Sequence, residues 1–403
     1  MTYNQQQQVI LLCIIVFLTT LAGLLITPLV PVYATGLGAS LAVVGLLDAA
    51  AFGLSFFLAI PFGSLVDRFG PRTLISVGVI GFALSPLAVL LTETLPGLAI
   101  TQMLLGTSHL SLIVASQTLI TGFATGKQQE RYMGWYAMMI SSAQMLGPLI
   151  GGSLADVFSF RVVFAVACVV PVIPLFLSRQ LDSAPKITSN AATSKKRITP
   201  SLTNVRSILT LRGAQLAILS SFGILLTQRA YSTFFPVLLD RLGYSVSAIG
   251  LLLSLRALSS TLIRPFISNV VTVFKTRLRT LFIVMAGIGV AIVGAGLSQL
   301  TGLLVLFTAL MGICGGISQP VSVLMMANAV SVNERGFALG LRLMGNRLAQ
   351  VTSPLVFGLV ADLWRLEGAF LGAGLAATGL AAWFWTLIPA QSSPNSAEQA
   401  ADD

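Results

Sequence analysis

The chain has 403 residues, of which 55% are hydrophobic and 9% charged, with a mean hydropathy of +0.91. Soluble domains carry about a quarter charged residues, so this composition excludes a water-soluble globular protein. It also argues against a nucleic-acid binder, despite the net charge of +10. Most of the positive charge lies in turns and in one polar stretch, the pattern that orients helices in a bilayer.

Twelve apolar runs reach the length of about 20 residues that a bilayer requires. They are expected at 9–33, 40–64, 73–92, 97–124, 132–155, 161–179, 213–238, 246–269, 280–299, 301–330, 337–361 and 366–389. The first run is too long for a signal-peptide core and follows no basic stretch, so it is read as a retained helix. The predicted fold is an all-α membrane protein with twelve transmembrane helices in two six-helix halves, 1–179 and 213–389. Residues 180–212, rich in Ser, Thr, Asn and Lys, form the expected linker, and 390–403 a polar, disordered tail. Cys13, Cys168 and Cys314 sit inside apolar runs without metal or disulfide spacing, so no metal and no cofactor is expected.

Fifteen Lys and Arg residues fall on the linker side of the predicted helices, and three (Arg161, Arg241 and Arg365) on the other. This places the linker and both termini in the cytoplasm of a multi-pass protein of the cell membrane. The halves repeat. Gln144, Pro148, Ala155 and Asp156 recur as Gln350, Pro354, Ala361 and Asp362, Gly45-Leu46-Leu47 recurs as Gly250-Leu251-Leu252, and Pro61-Phe62 recurs as Pro265-Phe266. A duplicated unit in parallel topology predicts a site between the halves near the bilayer midplane, reached by rocking one half against the other.

Gly63-x-x-x-Asp67-Arg68-x-Gly70-x-Arg72, between the second and third runs, resembles the signature loop of the major facilitator superfamily. The resemblance covers essentially the whole chain and implies the pseudo-symmetric transporter fold of that family, in its drug and organic-molecule exporter branch. It implies a gating role for Gly63, Asp67, Arg68, Gly70 and Arg72. Asp67 is expected to meet the start of the eleventh helix near Arg342, since a carboxylate is stabilised at a helix N-terminus. Gly147-Pro148-Leu149-Ile150-Gly151-Gly152 is similar to the family's antiporter motif, which implies tight helix packing that seals one conformation and points to export. Leu98-x-x-x-Gln102-x-x-Leu105-Gly106 resembles a third motif, but Gln102 stands where the family often has the arginine associated with proton coupling.

Ionisable residues inside the membrane mark functional positions. Asp48 is the acid among them; Arg229, Arg256, Arg264, Arg342 and Arg347 are the bases. Arg264 and Arg342 are placed near the cytoplasmic ends, where they can snorkel. With one acid for five bases, an anionic group on a substrate would balance the charge, and arginine suits a carboxylate or phosphate through its planar fork. Substrate contacts are expected from Arg229, Arg256 and Arg347, with Gln228, Tyr231, Asn346 and Gln319 beside them. An ion-pair gate between Asp48 and one arginine competes with that role. His109, the chain's only histidine, and Asp48 are the candidate proton carriers. The segment Gly315 to Pro320 is expected to break the tenth helix.

No nucleotide-binding Gly-x-x-x-x-Gly-Lys pattern, paired carboxylates or nucleophile elbow is present. The reading is therefore not an enzyme but a secondary transporter, expected to be monomeric, that exports small amphipathic or anionic organic molecules and couples to protons. Its partners are that small molecule, protons and the bilayer, with no nucleic acid. Uptake of an organic anion by symport, a lipid flippase and a non-transporting membrane sensor are the alternatives.

Overall fold

The computed structural model describes residues 3–124, 126–182, 207–331 and 334–386. Most of the expected linker and all of the expected tail lie outside them. We number the helical lengths that cross the molecule α1 to α12. α1 is Tyr3–Ile26, continued past a turn by Val30–Gly36; α2 is Leu41–Phe69; α3 is Pro71–Leu84 with Leu87–Thr92. α4 is Leu95–Phe123, α5 is Lys127–Val157, and α6 is Phe160–Val169 with Val172–Ser178. In the second half, α7 is Arg212–Arg241 and α8 is Val246–Leu262, extended by the 3-10 turn Arg264–Phe266 and by Ile267–Val273. α9 is Arg277–Leu297 and α10 is Thr301–Ala329. The final helix, Arg335–Thr386, is divided by non-helical Trp364 and Arg365 into α11 (335–363) and α12 (366–386). Among the described residues, eight of these twelve lengths are long and apolar enough to cross a membrane on length and composition alone. The other four are α5, α7, α11 and α12.

The helices begin where the sequence supplies caps. Ser40 and Ser245 occupy equivalent places in the repeat, and their hydroxyls accept from the backbone N–H of Val43 and Ala248, at 3.4 and 3.2 Å. Gly70 joins α2 to α3 with a φ of 81°, a conformation that only glycine adopts freely, and Pro71 opens α3 at a position that needs no helical N–H.

One expected break is absent. α10 runs unbroken through Gly315 to Pro320. Its glycines serve packing instead: a Cβ at Gly312 would collide with the Arg256 carbonyl, and one at Gly316 with the Ser260 carbonyl. The small residues let α8 lie directly against α10.

The halves meet along two seams, α2 against α11 and α5 against α8. The seams have the same construction. A Cβ on Gly45 would strike the Pro354 carbonyl, and a Cβ on Gly250 would strike the Pro148 carbonyl. Each glycine of the repeat thus faces the proline of the opposite half, which places the two halves about a pseudo-two-fold axis. Close backbone approach of this kind supplies the dispersion contacts that hold helices together in lipid.

Candidate functional site: a central cavity and the seal above it

The seams close one end of the molecule, the end away from the linker. Two aspartates reinforce it. Asp156, at the end of α5, accepts from the backbone N–H groups of Val246 and Ser247 at 2.9 and 2.8 Å, which are the first turn of α8. Asp362, at the end of α11, accepts from Leu41 and Ala42 at 2.7 and 3.0 Å, the first turn of α2. Each carboxylate satisfies two N–H groups that a helix start leaves open and complements the positive end of that helix. Asp156 is exposed and lies just past the apolar run of α5. Burial alone would raise its carboxyl, but hydrogen bonds from Ser247, Ser245 and the Val246 backbone outweigh that and hold it below the ordinary carboxylate value. The antiporter-like motif in α5 sits on this seal. Gly147 and Gly151 leave room for the backbone of Leu24 and Leu25 in α1, and Gly152 for that of Val246 and Gly250.

Beneath the seal lies a cavity of about 360 Å³, walled by α1, α2 and α5 of one half and α7, α8 and α10 of the other. Gln228, Arg229, Arg256 and Gln319 line it, as does Arg264. A second chamber of about 210 Å³ adjoins it and shares Leu24, Thr27, Gln144 and Arg229 as a wall. Gln102, Gly106 and His109 of α4 line the second chamber together with Phe52 of α2 and Arg347 of α11. The structure therefore brings His109 and Arg347 to one chamber and Arg256 to the other.

Between them stands an ion pair that spans the halves. Arg229 Nε donates to Asp48 Oδ2 at 2.8 Å, and its Nη2 donates to Oδ1. Thr233 Oγ1 donates to the same Oδ2 at 2.5 Å, and the Arg229 guanidinium lies over the Phe52 ring, 4.3 Å from its centre. Asp48 is only 5% exposed. The pairing foreseen between Asp48 and one arginine is present, and Arg229 is that arginine.

Other expected site residues fall elsewhere. Tyr231 is fully buried, stacked on Phe235 with its hydroxyl 2.9 Å from Thr308 Oγ1, and lies outside both chambers. It touches the site through Arg256, whose guanidinium carbon is 5.9 Å from the ring centre. Asn346 accepts from Ser221 Oγ and so ties α11 to α7. Arg342 does not snorkel. It is 2% exposed, and donates from Nε to Ser322 Oγ at 2.9 Å and from Nη2 to Gln319 Oε1 at 2.8 Å. These contacts draw it inward onto α10, because two polar groups at membrane depth satisfy the guanidinium better than lipid would. Arg264 also points inward, where its Nη1 donates to Ser141 Oγ of the opposite half at 3.0 Å. The sequence reading missed Arg264 as a lining residue. The signal was Pro265, which bends α8 at that point.

In the signature loop, Arg72 Nη2 donates to the Arg179 carbonyl of the same half, and Arg68 lies over the Phe69 ring at 5.2 Å. The Asp67 side chain and the surroundings of Gly63 lie outside what the structure describes, and with them the expected latch.

The family model for the Major Facilitator Superfamily matches residues 12–245 and 217–402. The chain is 28% identical to Quinolone resistance protein NorA of Staphylococcus aureus (strain Mu50 / ATCC 700699) over 247 residues, 61% of this chain and 62% of that protein. It is 24% identical over 348 residues to Multidrug resistance protein 1 of Bacillus subtilis (strain 168), 84% of this chain and 86% of that one. Among solved structures, a bacterial homologue of the human lysosomal transporter Spinster superposes with a TM-score of 0.79 at 16% identity, over 96% of this chain and 97% of that chain. The nucleoside transporter NupG superposes with a TM-score of 0.77, also at 16% identity, over 95% of this chain and 100% of that one. Duplicated seams, a two-sided central cavity and a family model matched across both halves lead to one conclusion: this multi-pass membrane protein belongs to the Major Facilitator Superfamily.

Proposed function

We propose that the chain is a secondary active transporter that exports small amphipathic or anionic organic molecules by alternating access. One observation carries this reading. The central cavity is walled by both halves and sealed at one end by a duplicated seam, so rocking about that seam would expose the cavity to the other end. The excess of Lys and Arg on the linker side supports cytoplasmic termini, which makes the sealed end the outer one. The antiporter-like motif at the seal and the relatives named for quinolone and multidrug resistance support outward transport. The expected driving force is the proton gradient. Asp48 would exchange Arg229 for a proton, and His109, beside the adjoining chamber, would serve as a second carrier.

Purified, reconstituted protein tests both parts. Export predicts proton-driven accumulation of an aromatic organic substrate in inside-out vesicles and none in right-side-out vesicles; the reverse would establish uptake. Asp48→Asn and His109→Ala should each flatten the pH dependence of that transport. A dependence unchanged in both would remove these residues as carriers.

A further inference from the structure

We propose that the central cavity seats an anionic group of its ligand on Arg256, with Arg264 and the side-chain amides of Gln228 and Gln319 as the remaining donors. Arg229 does not take part. The inference rests on the reading of this cavity as the transport site.

The argument begins with the charges. Arg229, Arg256 and Arg264 line the cavity, and Asp48 is the one acid among its lining residues. Asp48 is fully engaged, since both its oxygens accept from Arg229 and one also accepts from Thr233. Arg229 is thereby neutralised, and two guanidinium groups are left in the wall without a carboxylate. Each has one neutral hydroxyl as partner. Arg256 Nη1 donates to Ser232 Oγ at 2.7 Å, and Arg264 Nη1 to Ser141 Oγ at 3.0 Å. A guanidinium offers five N–H donors, so each retains most of its capacity.

Two buried amides supply an independent observation. The Nε2 atoms of Gln228 and Gln319 are buried and without a hydrogen-bond partner. For Gln319 the amide orientation is fixed, because Oε1 accepts from Arg342 and only Nε2 is left. Gln228 lies against Gly315, where a Cβ would come 2.9 Å from its Nε2. A buried donor left unmade costs about 1–3 kcal/mol; both residues belong to the cavity wall, so a turn of each side chain would bring its amide to a ligand's acceptor oxygen and recover it. Donors without acceptors, around two unbalanced charges, describe a seat for a carboxylate, sulfonate or phosphate rather than for a cation. Tyr231 fixes the charge from below: its ring faces the Arg256 guanidinium, and its own hydroxyl is held by Thr308.

The test uses three probes of one shape: 1-naphthoate, neutral 1-naphthamide and cationic 1-naphthylmethylammonium. Binding to purified protein in nanodiscs is measured by titration calorimetry, and efflux from loaded proteoliposomes is measured in parallel. Naphthoate should bind wild type at least tenfold more tightly than either analogue. Arg256→Gln should remove that preference, and Arg264→Gln should reduce it several-fold. The paired change Asp48→Asn with Arg229→Gln should still show naphthoate preferred in calorimetry, although proton-driven efflux falls because Asp48 is the proposed carrier. Should Arg256→Gln fail to fold, Ser232→Ala, which removes the hydroxyl that orients the guanidinium, and Arg256→Lys, which removes its fork, should each weaken naphthoate binding without affecting naphthamide. Equal binding of the three probes by wild type, or a preference unmoved by Arg256 and Arg264 variants, overturns the inference. Efflux of the cation alone would overturn it while leaving the transport reading standing; binding of naphthoate without transport of any probe would sink the transport reading instead.

Discussion

Asp48 and Arg229 form a largely buried charged pair, and such a pair is costly to break from one side. Arg229→Ala would leave a buried carboxylate without compensation, and should lower stability by about 3–5 kcal/mol. The paired neutral change Asp48→Asn with Arg229→Gln should lose much less, since it removes both charges. Thermal unfolding of the two variants in the same detergent checks this, and equal losses would show that the pair is not a unit. Asp156 behaves differently. Its carboxyl value is lowered in the fold, so the stability it adds is present above the ordinary carboxylate value and is lost only as pH falls through the lowered one. Asp156 should therefore stay charged between about pH 5 and 8, leaving pH sensing to the interior. Spin labels in the α1–α2 and α7–α8 turns, on protein freed of native cysteines, should report an unchanged distance across that range.

Among the helices, glycine and proline decide how the halves meet. Gly250→Leu would place a branched side chain where the Pro148 carbonyl stands. The seam could not close, and the same spin labels should report a wider gap at the sealed end, with transport below about a tenth of wild type, the loss expected from misplacing a packed interface. At this scale the sequence was highly legible. Apolar length marked the helices, and the recurring Gly45 and Gly250, Pro148 and Pro354 marked the duplication, though not that each glycine would meet the proline of the other half. Depth was less legible. Arg342 and Arg264 were read as end residues because distance along the sequence says nothing about which way a side chain turns. Ser322, Gln319 and Ser141, far from them in the chain, draw both inward. The engagement of Arg229 was foreseen only as one of two roles, since a pairing across 181 residues has no local signature. Conversely, Gly315 and Gly316 looked like a helix breaker when read along one helix, and prove to be contact surfaces, Gly316 toward α8 and Gly315 toward Gln228 of α7.

For the whole molecule, duplication explains the division of labour. The two seams are equivalent, yet the cavity they cover is not: the adjoining chamber draws most of its walls from the first half, while the cavity's unpaired guanidiniums come from the second. A symmetric frame thus carries an asymmetric lining, and the lining sets what is carried. Each aspartate clamp should contribute about 0.3–1 kcal/mol to closure, as a charge at a helix start does. Asp156→Asn or Asp362→Asn alone should then change turnover by about two- to fivefold.

The paired clamps also bear on how this protein would look to a geneticist. Each half lends one aspartate to the other and borrows one in return, so the loss of either costs only a few-fold in turnover. Cells selected for loss of transport would rarely yield a change at Asp156 or Asp362, and each position alone would pass as nearly dispensable. A strain carrying both changes would combine the two losses, and the phenotype would look like the sum of two mild alleles rather than the failure of one gate.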